Sequence, residues 1–545
     1  MLVLYNANII TMDPSTPNVS AIALDRGRIL AAGSDQEIIS NYLKVENPHG
    51  SDEGMMDLQG RVVIPGLTDA HIHLENFALS LQKIDCETHS RAECIQRVAD
   101  QVRVKPVGSW ILGHGWNQNN WTEGFGSRTD LDAVAPLNPV YLTAKSLHAA
   151  WANSTALQIA KLDRNTPDPP GGRLGRDDQG ELTGILFESA MELVSSVIPT
   201  PDENDLVKVI DNAQPVLWRM GLTGVHDFDR RRCFSALQIL GKAGKLKLRV
   251  LKSLPLEDLD HAIAIGLRSG FGNDMLRVGG IKAFSDGALG PQTAAMFQPY
   301  NGSNNNRGML FLDSEELYEY GQKAIQNGFS MAVHAIGDRA NHEVLDAFLQ
   351  LRELEGNLDF GGDVQKAIRS GFRHRIEHVQ VIHPDDANRL AKLGVVASMQ
   401  PIHATSDMFM ADRYWGERAA LSYAWRTQLQ NGAVLAFGSD APVESPNPFW
   451  GIFAAITRRR KNDSTRVSGW YPEQKLDVME ALRAYTTGPA YTASMEDRIG
   501  KISPGYWADL AVLSENPFTC SPEELYEIES TATMVAGEWV YSKLF

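Results

Sequence analysis

Eight short apolar runs, separated by stretches with helical spacing, constrain this chain more than any other feature. They are Val62 to His71, Thr223 to Phe228, Leu248 to Leu254, Val278 to Asp286, Ser330 to His334, Arg375 to Val379, Val395 to Gln400 and Val434 to Asp440. Near-continuous apolar runs suit strands buried on both faces, and a helix between successive runs supplies the crossover that parallel strands need. Eight such strands in succession close into an α/β fold, a (β/α)8 TIM barrel, whose chemistry lies at the carboxyl ends of the strands.

At 545 residues the chain exceeds what one core requires, so an additional smaller domain is expected. The first residues alternate short β-type runs with turns: Leu2 to Ile10, Ala21 to Leu24 and Arg28 to Ala32. The last residues repeat the style in Asp509 to Leu513, Thr533 to Ala536 and Trp539 to Ser542. Neither end can close a core alone, which points to one small β domain built from both, over residues 1–62 and 499–545, around a barrel over 63–498. The gap between the first two barrel strands is too long for a βα unit, so an inserted subdomain is expected at about residues 76–190. An insert after a barrel strand is placed to overhang the active-site mouth.

The composition, 43% apolar and 22% charged, is that of a globular enzyme. A formal net charge of −16 with no basic run argues against nucleic acid or an anionic membrane as partner and favours a small-molecule substrate. A homodimer is the default assembly for such a chain. Cys86, Cys94, Cys233 and Cys520 show no CxxC spacing and read as reduced. The start, MLVLYNANIITMDPS, has neither a basic leader nor a membrane-length apolar run, so a cytoplasmic location is expected.

The strongest chemical feature is Thr68-Asp69-Ala70-His71-Ile72-His73, which leaves an apolar strand. In an extended segment His71 and His73 point the same way and can offer two imidazoles to one metal. Two more strands end in histidine, at His334 and His378. Imidazole fills an apolar layer poorly, so four histidines at one end of three barrel strands read as an open-sided metal site. Asp440 ends the last run; such an aspartate is either a helix N-cap or, opposite a metal cluster, a general base. Lys282 lies in an apolar strand, where it is either salt-bridged or a lysine of depressed pKa able to take up carbon dioxide as a carbamate.

In this order the residues resemble the amidohydrolase superfamily, specifically the amidohydrolase-3 branch of YtcJ-like proteins and N-substituted formamide deformylases. The resemblance rests on Pro65 to His73, Gly113-His114-Gly115-Trp116, Lys282 to Gly290, His334 to Ala340, Arg375-Ile376-Glu377-His378 and Gly438 to Val443. It implies that the terminal segments form a split β-sandwich. It implies one or two divalent ions, zinc first, held by His71, His73, His334, His378 and Asp440, with carboxylated Lys282 as bridge. The implied reaction is hydrolysis of an amide-type C–N bond (N-acyl, N-formyl or cyclic) by water that the metal activates, with Asp440 moving the proton. Deamination of a heterocycle and a non-catalytic scaffold of the same fold are the alternatives. In the insert, His114, Trp116 and His148 are candidates for the substrate pocket, as is His403 after the seventh strand; ordinary loop hydrogen bonding accounts for them equally well. The insert's Trp110, Trp116, Trp121 and Trp151 fit either an apolar substrate group or core packing.

Overall fold

Eight parallel strands are hydrogen-bonded in chain order: β1 (Leu67–Ile72), β2 (Leu222–Asp227), β3 (Arg249–Pro255), β4 (Leu276–Phe284), β5 (Met331–Ala335), β6 (Arg375–His378), β7 (Val396–Met399) and β8 (Leu435–Phe437). This computed structural model describes residues 1–42, 54–118, 121–145, 148–461, 463 and 468–544. The β8 end returns to the β1 end, where Asp440 N donates to His71 O at 2.7 Å and His73 N to Ala441 O at 2.9 Å. The barrel is closed there because Gly438 has no side chain: a Cβ would lie 2.4 Å from His71 N. Helices on the outside cover the strands with their apolar faces. Ser314–Gln326, started by an Asp313/Glu316 capping box, buries Leu317, Ala324 and Ile325, and Asp338–Asp359 buries Val344, Leu345, Phe348 and Leu351.

The expected single strand Val62 to His71 is two strands. Val62–Pro65 runs parallel to Asn8–Ile10 and antiparallel to Leu510–Leu513, whereas Leu67–Ile72 pairs with β2. Gly66 makes the passage between them, since a Cβ there would lie 2.2 Å from Thr223 Oγ1. Both halves are apolar because both are buried, so the sequence carries no break in polarity to mark the change of sheet. The expected run Leu2 to Ile10 likewise divides, at Asn6 with φ of 52°. Leu2–Tyr5 joins a four-stranded sheet and Asn8–Ile10 a six-stranded one.

The six-stranded sheet mixes the chain ends: Glu538–Ser542, Ser530–Val535 and Leu510–Leu513 continue into Val62–Pro65, Asn8–Ile10 and Asn18–Val19. Leu4, Ile22, Leu24 and Ile29 from the four-stranded sheet share one core with Ile9, Val63, Leu510, Val512 and Met534. The terminal segments therefore form the two-layered β domain expected. A buried bidentate pair ties it to the barrel: Arg249 on β3 reaches Asp509 with Nε to Oδ2 at 2.5 Å and Nη2 to Oδ1 at 2.9 Å.

Barrel and terminal sheets belong to one unit, Met1–Phe77 with Leu206–Phe545, and the insert forms another, Ala78–Asp205. The insert holds a six-stranded sheet ordered Gly172–Arg176, Leu182–Glu188, Ala149–Ala152, Val140–Ala144, Ile111–Trp116, Ile84–Asp85. It reaches past the expected limit near 190 because Val194, Leu193 and Ile198 pack into its own core. All four cysteines are free thiols. No helix among the described residues is long and apolar enough to cross a membrane.

Candidate metal centre

The carboxyl ends of five barrel strands bring six expected residues together: His71 and His73 at β1, Lys282 on β4, His334 on β5, His378 on β6 and Asp440 after β8. His378 and Asp440 take left-handed backbone, with φ of 79° and 60°. Such strain in residues other than glycine persists only where the surroundings fix it, and here it turns two donor side chains at the barrel rim. Asp440 Oδ1 lies 3.4 Å from His71 Nε2 and 3.3 Å from His73 Nε2. The nearest ligand atoms of His71, His378 and Asp440 fall within 4.8 Å of one another.

Each imidazole uses its other nitrogen outward. His71 Nδ1 donates to Glu377 Oε2 at 2.7 Å and His73 Nδ1 to Asp229 Oδ1 at 3.2 Å. His334 Nε2 donates to Gly287 O at 2.9 Å and His378 Nδ1 to Gln400 Oε1 at 2.8 Å. A carboxylate or carbonyl oxygen can only accept, so the outer nitrogens carry the protons and His71 Nε2, His334 Nδ1 and His378 Nε2 are left with lone pairs, while His73 Nε2 becomes a donor atom once the ring gives up its second proton. Asp440 Oδ1 is buried and no hydrogen bond satisfies it. Lone pairs and a carboxylate oxygen at these distances repel one another unless a cation sits among them. The donor set thus fits a divalent metal, with nitrogen and oxygen donors of the kind zinc takes.

The electrostatics agree. Burial holds His71 down at about 4 and His334 at about 3, and keeps His378 well below its ordinary value, so these rings are neutral near pH 7. Asp440 stays ionised despite burial because His71, His403 and His73 surround it. In His73 burial is outweighed by the carboxylates of Asp229 and Asp440, which push it up to about 9. Lys282 is buried with Nζ 4.8 Å and 4.9 Å from the ring centres of Phe228 and Phe284, and no hydrogen bond or ion pair meets it among the described residues. Burial, partly countered by Glu377 and Asp440, brings its amine down to about 8. Of the two readings that the sequence left open for Lys282, the salt-bridged one has no partner.

The model of the amidohydrolase family, Amidohydro_3, matches residues 54–541. The chain belongs to the amidohydrolase family. It is 32% identical over 547 residues to the putative amidohydrolase YtcJ of Bacillus subtilis, covering 98% of each chain. It is 27% identical over 559 residues to the N-substituted formamide deformylase of Arthrobacter pascens, covering 99% of this chain and 98% of that one. The crystal structure of an uncharacterized metal-dependent hydrolase from Pyrococcus furiosus superposes with a TM-score of 0.74 at 29% identity, over 95% of this chain and 99% of the other. As an amidohydrolase the protein is a metal-dependent hydrolase acting on carbon–nitrogen bonds.

The remaining candidates of this amidohydrolase divide. His403, in the first turn of the helix Pro401–Trp415, is buried with Nε2 3.5 Å from Asp440 Oδ2. Beside the site, His226 on β2 braces Arg375, its Nδ1 accepting from Nη1 at 2.9 Å. Within the inserted unit, Trp116 is a core residue, 1% exposed, with Nε1 bonded to Leu142 O at 2.8 Å and Trp121 stacked beside it. This corrects the expectation that it lines a pocket; the insert's sheet needs its bulk to close its own core. Trp121 and Trp151 belong to the same core. His114 Nδ1 pairs with Thr143 Oγ1 at 2.9 Å, and His148 is exposed with Nδ1 2.9 Å from Glu188 Oε2.

Sequence reasoning missed the outer acceptors. Glu377 precedes the candidate ligand His378 and takes Arg375 Nη2 at 2.9 Å, Ser398 Oγ at 2.6 Å and the His71 proton. Asp227 and Asp229 leave β2, and Lys252 lies within the apolar β3. A charged residue in an apolar strand was the signal that marked Lys282, and it marks Lys252 equally.

Proposed function

We propose that this amidohydrolase cleaves the C–N bond of an amide-type small molecule, an N-acyl, N-formyl or cyclic amide, with Asp440 as the residue that takes and returns the proton. The observation that carries the proposal is the ring of inward lone pairs around unsatisfied Asp440 Oδ1. His71, His73, Lys282, His334, His378 and Asp440 would hold one or two divalent ions, zinc first. Bound there, the metal supplies Lewis-acid polarisation of the substrate carbonyl and acidifies water at the site.

The chain's own residues do the rest. The neutral rings of His71, His334 and His378 keep their lone pairs available across the physiological range. Asp440, ionised and close to His71 and His73, accepts a proton from the attacking water and delivers it to the departing nitrogen. Lys282 has a fraction of free amine at neutral pH and can become a carbamate, which would add an anionic oxygen ligand to the set that holds the metal. The formamide deformylase among its relatives and the strand-four lysine favour amide hydrolysis over deamination.

Metal content by plasma mass spectrometry, with amine release from N-formyl and N-acyl amines and ammonia release from purines and pyrimidines, tests this. The expected result is bound zinc, amine release, and an Asp440→Asn variant that keeps its metal but loses about 10²- to 10⁴-fold in kcat. Ammonia release alone would replace amide hydrolysis with deamination, and full turnover by Asp440→Asn would remove Asp440 from the mechanism.

A further inference from the structure

We infer that Asp229 is the positioning residue that aims the ligand His73, and that Lys252 on β3 holds Asp229 in place from beneath. The inference rests on the metal reading above. His73 is the ligand that packing fixes least: its side chain is 29% exposed, against 1% for His71 and 11% for His334. Its ring direction must come from a hydrogen bond, and Asp229 Oδ1 provides it at 3.2 Å.

The Asp229 carboxylate cannot turn away. Oδ1 also accepts Asn76 Nδ2 at 2.8 Å, while Oδ2 accepts Glu75 N at 2.5 Å and Asn76 N at 3.3 Å. Every donor comes from residues 73–76, the segment that carries the ligand. Because a carboxylate only accepts, Asp229 keeps a proton on Nδ1, so the proton that a metal ion displaces is the one on Nε2, which faces Asp440.

Lys252 explains why the β2 exit stays where it is. The ammonium is fully buried, pairs with Asp227 Oδ2 at 2.9 Å, donates to Ser253 O at 2.9 Å, and also donates to the carbonyl of Asp229. Asp227 Oδ1 accepts Leu74 N at 2.9 Å. Two carboxylates from the β2 exit thus clamp the β1 exit, and one cation holds the first by its side chain and the second by its main-chain carbonyl. Asp227, Asp229 and Cys233 lie close enough to suggest a metal cluster, but the Lys252 ammonium already occupies Asp227.

The test measures cobalt and zinc affinity of the metal-free, full-length protein by competition with a chelator, together with the visible absorption of the cobalt form. Asp229→Ala is expected to bind about 10- to 100-fold more weakly with an altered cobalt spectrum, and Asp229→Asn, which keeps an acceptor oxygen, to recover part of the loss. The double variant Asp227→Asn/Lys252→Met removes both buried charges together, so neither is left unpaired, and is expected to weaken binding in the same direction. Circular dichroism of the metal-free variants separates these effects from misfolding. Wild-type affinity and an unchanged spectrum in folded Asp229→Ala overturn the assignment to Asp229 alone, and the same result in the double variant overturns that to Lys252. A wild-type protein that binds neither metal overturns the metal reading and this inference with it.

Discussion

Lys282 makes the sharpest prediction. Its amine, buried between Phe228 and Phe284 without an anionic partner, is lowered from 10.5 to about 8. At pH 7 that raises the uncharged fraction about 300-fold, to roughly one lysine in ten. Only the uncharged amine attacks carbon dioxide: its lone pair forms the N–C bond, a C=O π pair moves onto oxygen, and the nitrogen loses a proton to solvent. Formation in the metal-free protein should therefore fall about tenfold from pH 7 to pH 6, where nearly all the amine is charged. The assay is carbon-13 NMR of protein supplied with labelled bicarbonate, first without metal at fixed dissolved carbon dioxide to follow the rate of formation against pH, and then with zinc. One carbamate resonance should appear in the wild type and be absent from Lys282→Met, whose metal content should drop. A wild type with no carbamate signal at pH 8, or an equal signal in Lys282→Met, refutes the reasoning.

Two further outcomes are expected. Metal uptake should release protons, because His73, pushed up to about 9, is protonated at pH 7 until the ion displaces its proton; apparent affinity should then climb about tenfold from pH 7 to 8 and less steeply from 8 to 8.5. Calorimetry in buffers of different ionisation enthalpy checks this, and an affinity flat over that range contradicts it. Arg249→Met strands the buried Asp509 carboxylate and should destabilise the protein by about 3–5 kcal/mol in urea titrations, whereas Arg249→Met/Asp509→Leu, which removes both charges, should regain most of it. A single variant within about 1 kcal/mol of wild type would show that the pair contributes little.

The sequence by itself determined the barrel, because eight apolar runs at βα spacing leave few other ways to bury themselves. It also marked the candidate ligands, since histidines at strand ends and a lysine inside an apolar strand are local facts of pattern and polarity. Where two buried strands follow each other without a polar break, as at Val62–Pro65 and Leu67–Ile72, the pattern could not say that they lie in different sheets; the missing side chain of Gly66 decides it, and only against Thr223. Tertiary structure also assigned the outer acceptors. Asp229 lies 156 residues from His73 and Glu377 lies 306 from His71, and no periodicity links such pairs. Trp116 shows the converse, a residue beside a motif that the insert's core claims for packing. Which nitrogen of each histidine is left to face a metal is a property of those distant partners, because a neutral ring's free lone pair is fixed by whatever accepts its other proton.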